Sequence, residues 1–148
     1  MAHTNVLSAY RETRIKTASQ GQLIIMLYDE AVRQLDRGRE LLTLNAGGKK
    51  DPARIEQAGK AVIKTQEIIT ELMVSLDFEQ GGDIAKNLFA LYTWFNRELL
   101  EANIAQDSGR IENVRSQLSD LRNTWVDVIT KNTAEGAGRP AAGINIAG

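Results

Sequence analysis

Residues 81–104, GGDIAKNLFALYTWFNRELLEANI, decide the fold that the sequence predicts. After the two glycines, apolar residues recur at steps of three and four, which places them on one side of an α-helix. These residues are Ile84, Leu88, Leu91, Phe95, Leu99 and Ala102. Phe89, Leu100 and Ile104 fall on nearly the opposite side. We expect the first side to face a core, whereas the second is either covered by another helix or left as a docking surface for a partner.

Two long segments with helical spacing precede this stretch. Ser19 and Gln22 have the pattern of a helix N-terminus, so a first long helix is expected to begin there. Ile25 and Val32 lie off its main apolar side and indicate a second, weaker apolar edge. The main side repeats with the heptad spacing of an antiparallel bundle or coiled coil, and consists of Ile24, Leu27, Tyr28, Ala31, Leu35, Gly38 and Leu42.

A turn at residues 45–50 is predicted to end this first helix. Asp51 and Pro52 then start a second one, because Asp is a favourable N-cap and Pro fits the first helical position. Its expected core side is Ile55, Ala58, Val62, Thr65, Ile69, Leu72 and Leu76, broadened by Ile63, Ile68 and Met73.

Two more boundaries complete the helices. Asp83 is predicted to cap the central helix, and residues 107–109 are predicted to end it and to open a last helix. On that last helix we assign Trp125 to the core, whereas Trp94 on the central helix is expected at a boundary or in a partner contact. The last apolar side is Ile111, Val114, Leu118, Leu121, Trp125 and Val128.

The composition favours one cytoplasmic domain. A chain of 148 residues can bury a core without disulfides, and the absence of cysteine suits a reducing compartment. The net charge of −1 lacks the basic excess that a phosphate-binding surface needs. No apolar run is long enough to cross a bilayer, and the N-terminus lacks the apolar region of a signal peptide. We therefore expect neither nucleic-acid binding nor membrane insertion.

The chain divides into three parts. Residues 18–133 form the predicted helical domain. Residues 1–17 contain a short amphipathic piece that is too short to be stable as an isolated helix, so it either docks on the domain or comes away from it. Residues 134–148 are rich in Gly and Ala, and we expect a flexible tail because they cannot bury enough surface to offset ordering.

The residue types that enzymes and metal sites need are missing. His3 is the only histidine, and without cysteine it cannot build a zinc site. Residues 47–49, Gly-Gly-Lys, lack the rest of a phosphate-binding loop. The serines have no histidine other than His3 to activate them, and neighbouring carboxylates do not face each other on a helix. We predict no enzyme activity, no cofactor, and no catalytic or metal-ligating residue.

Five quoted segments carry a resemblance to a known family. They occur in the family's order and together cover about residues 5–130: NVLSAY at 5–10, TASQGQLIIMLYD at 17–29, GGDIAKNL at 81–88, LY at 91–92 and LLEAN at 99–103. The chain resembles the flagellar secretion chaperones called FliS.

The resemblance implies an all-α fold, an antiparallel four-helix bundle with a short N-terminal segment lying against it. It implies that the protein binds the C-terminal part of flagellin in the cytoplasm, in an extended and partly helical form wrapped around the bundle. The client then cannot polymerise before type III export. The resemblance further implies delivery of the loaded chaperone to the export gate protein FlhA, with no nucleotide or metal.

The expected client-binding residues come from two sources. Matching positions in the family's motifs point to Tyr10 and Tyr28. Periodicity adds a second set, made of Leu7, Ile25, Val32, Phe89, Tyr92, Leu100 and Ile104. We also hypothesise that Leu7 and Tyr10 fill a groove as an internal lid until a client displaces them.

Two alternatives stay open from the sequence. A helical adaptor or dimerising coiled-coil protein would use the heptad spacing for self-association. The other alternative is a helical-bundle enzyme or metal carrier. The sequence also leaves open whether the protein is a monomer or a homodimer.

Overall fold

The computed structural model describes residues 20–134, with side chains to residue 131. Ser19, the predicted N-terminal segment 1–17 and the tail beyond Ala134 lie outside the described residues. Four long α-helices fill the described part, which confirms the predicted all-α fold. They are α1 (Gln20–Ala46), α2 (Pro52–Val74), α3 (Phe78–Ala105) and α4 (Ser108–Ala134).

Local hydrogen bonds explain two of the predicted boundaries. The Asp51 side chain accepts a bond from the amide of Ala53 at 2.9 Å, with Pro52 as the first residue of α2. The left-handed conformation of Gln106 closes α3. The Asp107 carboxylate then accepts bonds from the first free amides of α4. Both predicted turns are therefore confirmed.

The predicted start of the central helix, Asp83, lies directly after a kink inside α3 and is not the first residue of that helix. α3 begins nearly two turns earlier, where the Asp77 side chain accepts a bond from the amide of Gln80 at 3.0 Å. Gly82 has φ 50° and ψ −124°, a conformation open to glycine, and it kinks the helix after this first turn. The paired glycines thus bend α3 after it has begun, and do not precede its start.

The helices pack as a four-membered ring. α1 contacts α2 and α4, and α3 contacts the same two helices, whereas the backbones of the diagonal pairs do not approach each other. Connections of two to five residues allow only antiparallel neighbours. The pairing of Asp29 with Arg122 and of Asp36 with Arg115 shows this direction for α1 and α4. The structure is the expected four-helix bundle.

The core consists mainly of the predicted apolar sides. On α1 every predicted core residue is buried, and on α4 Trp125 is 6% exposed. Ile84 is the main error, because half of its side chain is exposed. Ile63, predicted to broaden the core side of α2, is likewise half exposed. Both residues lie on surfaces that could bind a partner.

Candidate functional site

A row of exposed apolar side chains runs along the outer side of α2 and α3. Their exposed fractions lie between 43% and 72%, although residues of these types usually bury more of their surface. Within the row, the rings of Phe78 and Phe89 contact each other edge to face with centroids 5.9 Å apart. We call this row the α2/α3 ridge; it is formed by Ile63, Val74, Phe78, Phe89, Leu100 and Ile104.

Polar contacts between the two helices fix their register beneath the ridge. Gln66 Nε2 donates to the carbonyl oxygen of Asn96 at 3.0 Å, and Asn96 Nδ2 lies 3.4 Å from Thr70 Oγ1. In this antiparallel register, Ile63 is about level with Leu100, towards the end of the ridge at Ile104. The apolar side chains of the ridge therefore lie on both sides of this polar contact, along the line where α2 and α3 meet. Such a surface can take an amphipathic helix or an extended apolar segment.

A second apolar surface lies between α3 and α4, the neighbouring pair whose backbones approach each other least. It is a cleft of about 310 Å³, which we call the α3/α4 cleft. Gly21, at the start of α1, packs against Ile129 of α4, so the cleft lies towards the bundle end at which α1 begins. The cleft is lined by Ile84, Leu88, Leu121, Thr124, Trp125 and Val128.

Three buried polar side chains meet behind this cleft. The hydroxyls of Tyr28 on α1 and Tyr92 on α3 share a hydrogen bond, and Trp125 Nε1 donates to Tyr28 Oη at 3.1 Å. Burial raises the pKa of Tyr92 to about 12 and raises the pKa of Tyr28 well above its ordinary value. Both hydroxyls therefore stay neutral and hydrogen-bonded at physiological pH.

The structure separates the predicted site residues into three groups. Phe89, Leu100 and Ile104 share the α2/α3 ridge. Tyr28 and Tyr92 have no exposed surface, because they lie on the core side of their helices. They can touch a client only if the bundle opens.

The remaining predicted residues lie elsewhere. Ile25 and Val32 are half-buried against the core, on the side of α1 where Asp29 pairs with Arg122 of α4. Two ridge residues that periodicity missed, Val74 and Phe78, flank the short connection between α2 and α3. The sequence feature that could have identified them is the presence of large apolar residues beside a polar turn. Leu7 and Tyr10 lie outside the described residues.

The described part of the chain offers no centre for metal chemistry. Among residues 20–131, no three His, Asp or Glu side chains converge on a point where an ion could be held. In the same part of the chain, no helix has the length and apolarity that crossing a membrane requires.

Comparison with known proteins agrees with this architecture. Residues 3–132 match the family described as flagellar protein FliS. The chain is 36% identical over 121 residues to the flagellar secretion chaperone FliS of Salmonella typhimurium, covering 81% of this chain and 84% of that protein. The FliS proteins of Escherichia coli and Bacillus subtilis are 33% and 27% identical, covering 77% and 87% of this chain and 79% and 90% of those proteins. The chain therefore belongs to the FliS family of flagellar secretion chaperones.

Proposed function

We propose that this protein is a cytoplasmic export chaperone that binds the C-terminal region of flagellin, prevents its premature polymerisation and delivers it to the flagellar type III export apparatus. The names of its relatives support the class of function. The observation that carries the proposal is the α2/α3 ridge, a long apolar surface on a protein whose core is already complete. Delivery would bring the loaded chaperone to the export gate protein FlhA.

The ridge suits a client that is amphipathic and unfolded before assembly. Such a segment exposes apolar side chains that would otherwise associate with those of other monomers. Docking on the ridge would cover them, and the client would form helix as it binds. The exposed side chains of the ridge, among them Phe89, Leu100 and Ile104, would provide apolar area for this contact.

Light scattering of the full-length chain, alone and with monomeric flagellin, tests this function. The proposal predicts a complex with one flagellin per chaperone, and loss of that complex when the C-terminal segment is removed from flagellin. A dimer of this chain that does not bind flagellin would instead favour the coiled-coil alternative, in which the same apolar surfaces serve self-association.

We further propose that residues 1–17 act as a lid in the α3/α4 cleft. α1 begins at Gln20, at the bundle end towards which the cleft lies, so a segment of this length can reach it. The apolar side chains of Leu7 and Tyr10 would fill a cleft lined by Ile84 and Val128. A client that wraps around the bundle would occupy this cleft as well as the α2/α3 ridge, so the lid and the client would compete for it.

Deleting residues 1–17 is expected to tighten client binding, because a lid lowers the apparent affinity by the fraction of molecules that are open. Titration calorimetry of both chains with a flagellin C-terminal peptide measures the change. A synthetic peptide of residues 1–17 added in trans should weaken client binding again. An unchanged dissociation constant would reject the lid.

A further inference from the structure

The two aromatic rings of the α2/α3 ridge come from positions that a straight helix would keep apart. Phe78 and Phe89 are eleven residues apart on α3, and eleven residues rise about 16 Å along a helix axis. Two phenylalanine side chains cannot span that distance. Their ring centroids are nevertheless 5.9 Å apart, with the ring planes inclined at 63°. The first turn of α3 must therefore leave the line of the helix.

Gly82 is the residue at which the chain leaves this line. Its φ of 50° and ψ of −124° are close to the angles of the first central residue of a type II′ turn, a conformation that favours glycine. Just before it, the amide of Gly81 donates to the carbonyl oxygen of Asp77 at 2.8 Å and closes the first turn. Within α3 the backbone angles depart from helical values at Gly82, so the change of direction is made there.

Conformation, and not lack of space, makes glycine necessary at this position. A Cβ added to Gly82 would meet no heavy atom of the described residues within 4 Å. An L-residue would instead be strained by the positive φ. The chain can relieve that strain by pointing the first turn of α3 in another direction, which would separate Phe78 from Phe89.

We propose that Gly82 is a positioning residue for the α2/α3 ridge: its conformation places Phe78 against Phe89, which extends the surface offered to an apolar client segment as far as the α2–α3 connection. Phe78 is 47% exposed, and Val74, across this short connection, is 72% exposed. Without the kink the ridge would lose this aromatic end. The client's use of this end rests on the function proposed above, whereas the placement of Phe78 does not.

Three variants of the full-length chain separate the effect of conformation from that of an added methyl group. Gly82→Ala adds the methyl group in the configuration that disfavours a positive φ. A D-alanine at position 82, introduced by chemical synthesis of the chain, adds it in the configuration that favours this φ. Gly48→Ala is the matched control: a Cβ at Gly48 also meets no heavy atom of the described residues within 4 Å, and its φ is not positive.

The first measurement needs no flagellin. It is the nuclear Overhauser contact between the rings of Phe78 and Phe89, which can be assigned because the sequence has three phenylalanines. We expect Gly82→Ala to lose this contact while circular dichroism shows a folded chain, and the D-alanine and Gly48→Ala chains to keep it. An unchanged contact in Gly82→Ala, or its loss in the D-alanine chain as well, would overturn the inference.

The second measurement is titration calorimetry with a flagellin C-terminal peptide on Gly82→Ala, Phe78→Ala and the double variant. We expect each single substitution to weaken binding about tenfold, the change that half of a buried phenylalanine produces. The double variant should bind no more weakly than either, because both substitutions remove the same ring from the ridge.

Two results of this titration would overturn the inference: single variants that bind like wild type, or a loss of about a hundredfold in the double variant, which would show two independent effects. If the wild-type chain itself does not bind the peptide, the proposed function fails. The ring contact in the free chain still decides whether Gly82 positions Phe78.

Discussion

Replacing Phe95 with alanine is expected to lower the free energy of unfolding by about 3–5 kcal/mol, the usual cost of removing a buried phenylalanine. The side chain is fully buried on α3. Its ring lies 5.7 Å from the Trp94 ring and 6.4 Å from the Tyr92 ring, measured between centroids. Losing it would open a cavity in the centre of the bundle. Urea unfolding followed by circular dichroism measures the change.

Phe89 provides the matched control for this experiment, because it is the same residue type on the same helix with 43% of its surface exposed. Phe89→Ala should lower the free energy of unfolding by about 1 kcal/mol or less, since the main contact that the substitution removes is the one with Phe78. Equal destabilisation by the two substitutions would contradict the division of α3 into a core side and a ridge side.

Leu100→Asp is expected to weaken binding of the flagellin C-terminal peptide by about 10- to 100-fold, with the helicity and unfolding midpoint of the free chain nearly unchanged. Half of the leucine is exposed in the free protein, so the charge costs little there. A client on the ridge would bury the carboxylate without a partner and would lose the apolar contact. Titration calorimetry and circular dichroism measure the two effects.

Leu44→Asp is the control for introducing a negative charge at an exposed leucine. Leu44 is similarly exposed, at 53%, but lies near the end of α1 and outside the ridge. It should leave the affinity unchanged. If Leu100→Asp unfolds the chain, Leu100 is part of the core. If both variants bind the peptide as tightly as wild type, the client does not use the ridge.

The helices and most of the core could be predicted because their signals are local. The apolar spacing of α1 and the caps at Asp51 and Asp107 each involve residues within a few positions of one another. Ile84 has the spacing of a core residue but lines the cleft, because α3 and α4 separate there. That separation is a property of the packed bundle, so the spacing of apolar residues within α3 does not indicate it.

The roles of the tyrosines depend on contacts between distant parts of the chain. Tyr28 and Tyr92 are 64 positions apart, and Trp125 joins them from the last helix. A tyrosine at the edge of an apolar stripe is equally consistent with a binding surface and with a core whose hydroxyls find partners. Only the packed structure shows that these two hydroxyls bond to each other.

The most direct test of the whole account is calorimetric titration of the full-length chain with a peptide covering the C-terminal segment of its own organism's flagellin, with circular dichroism recorded on the same samples. The account predicts one-to-one binding, a gain of helix and a negative heat-capacity change, as expected for folding of the client onto an apolar surface. A folded chain that gives neither heat nor helix gain across several temperatures would contradict it.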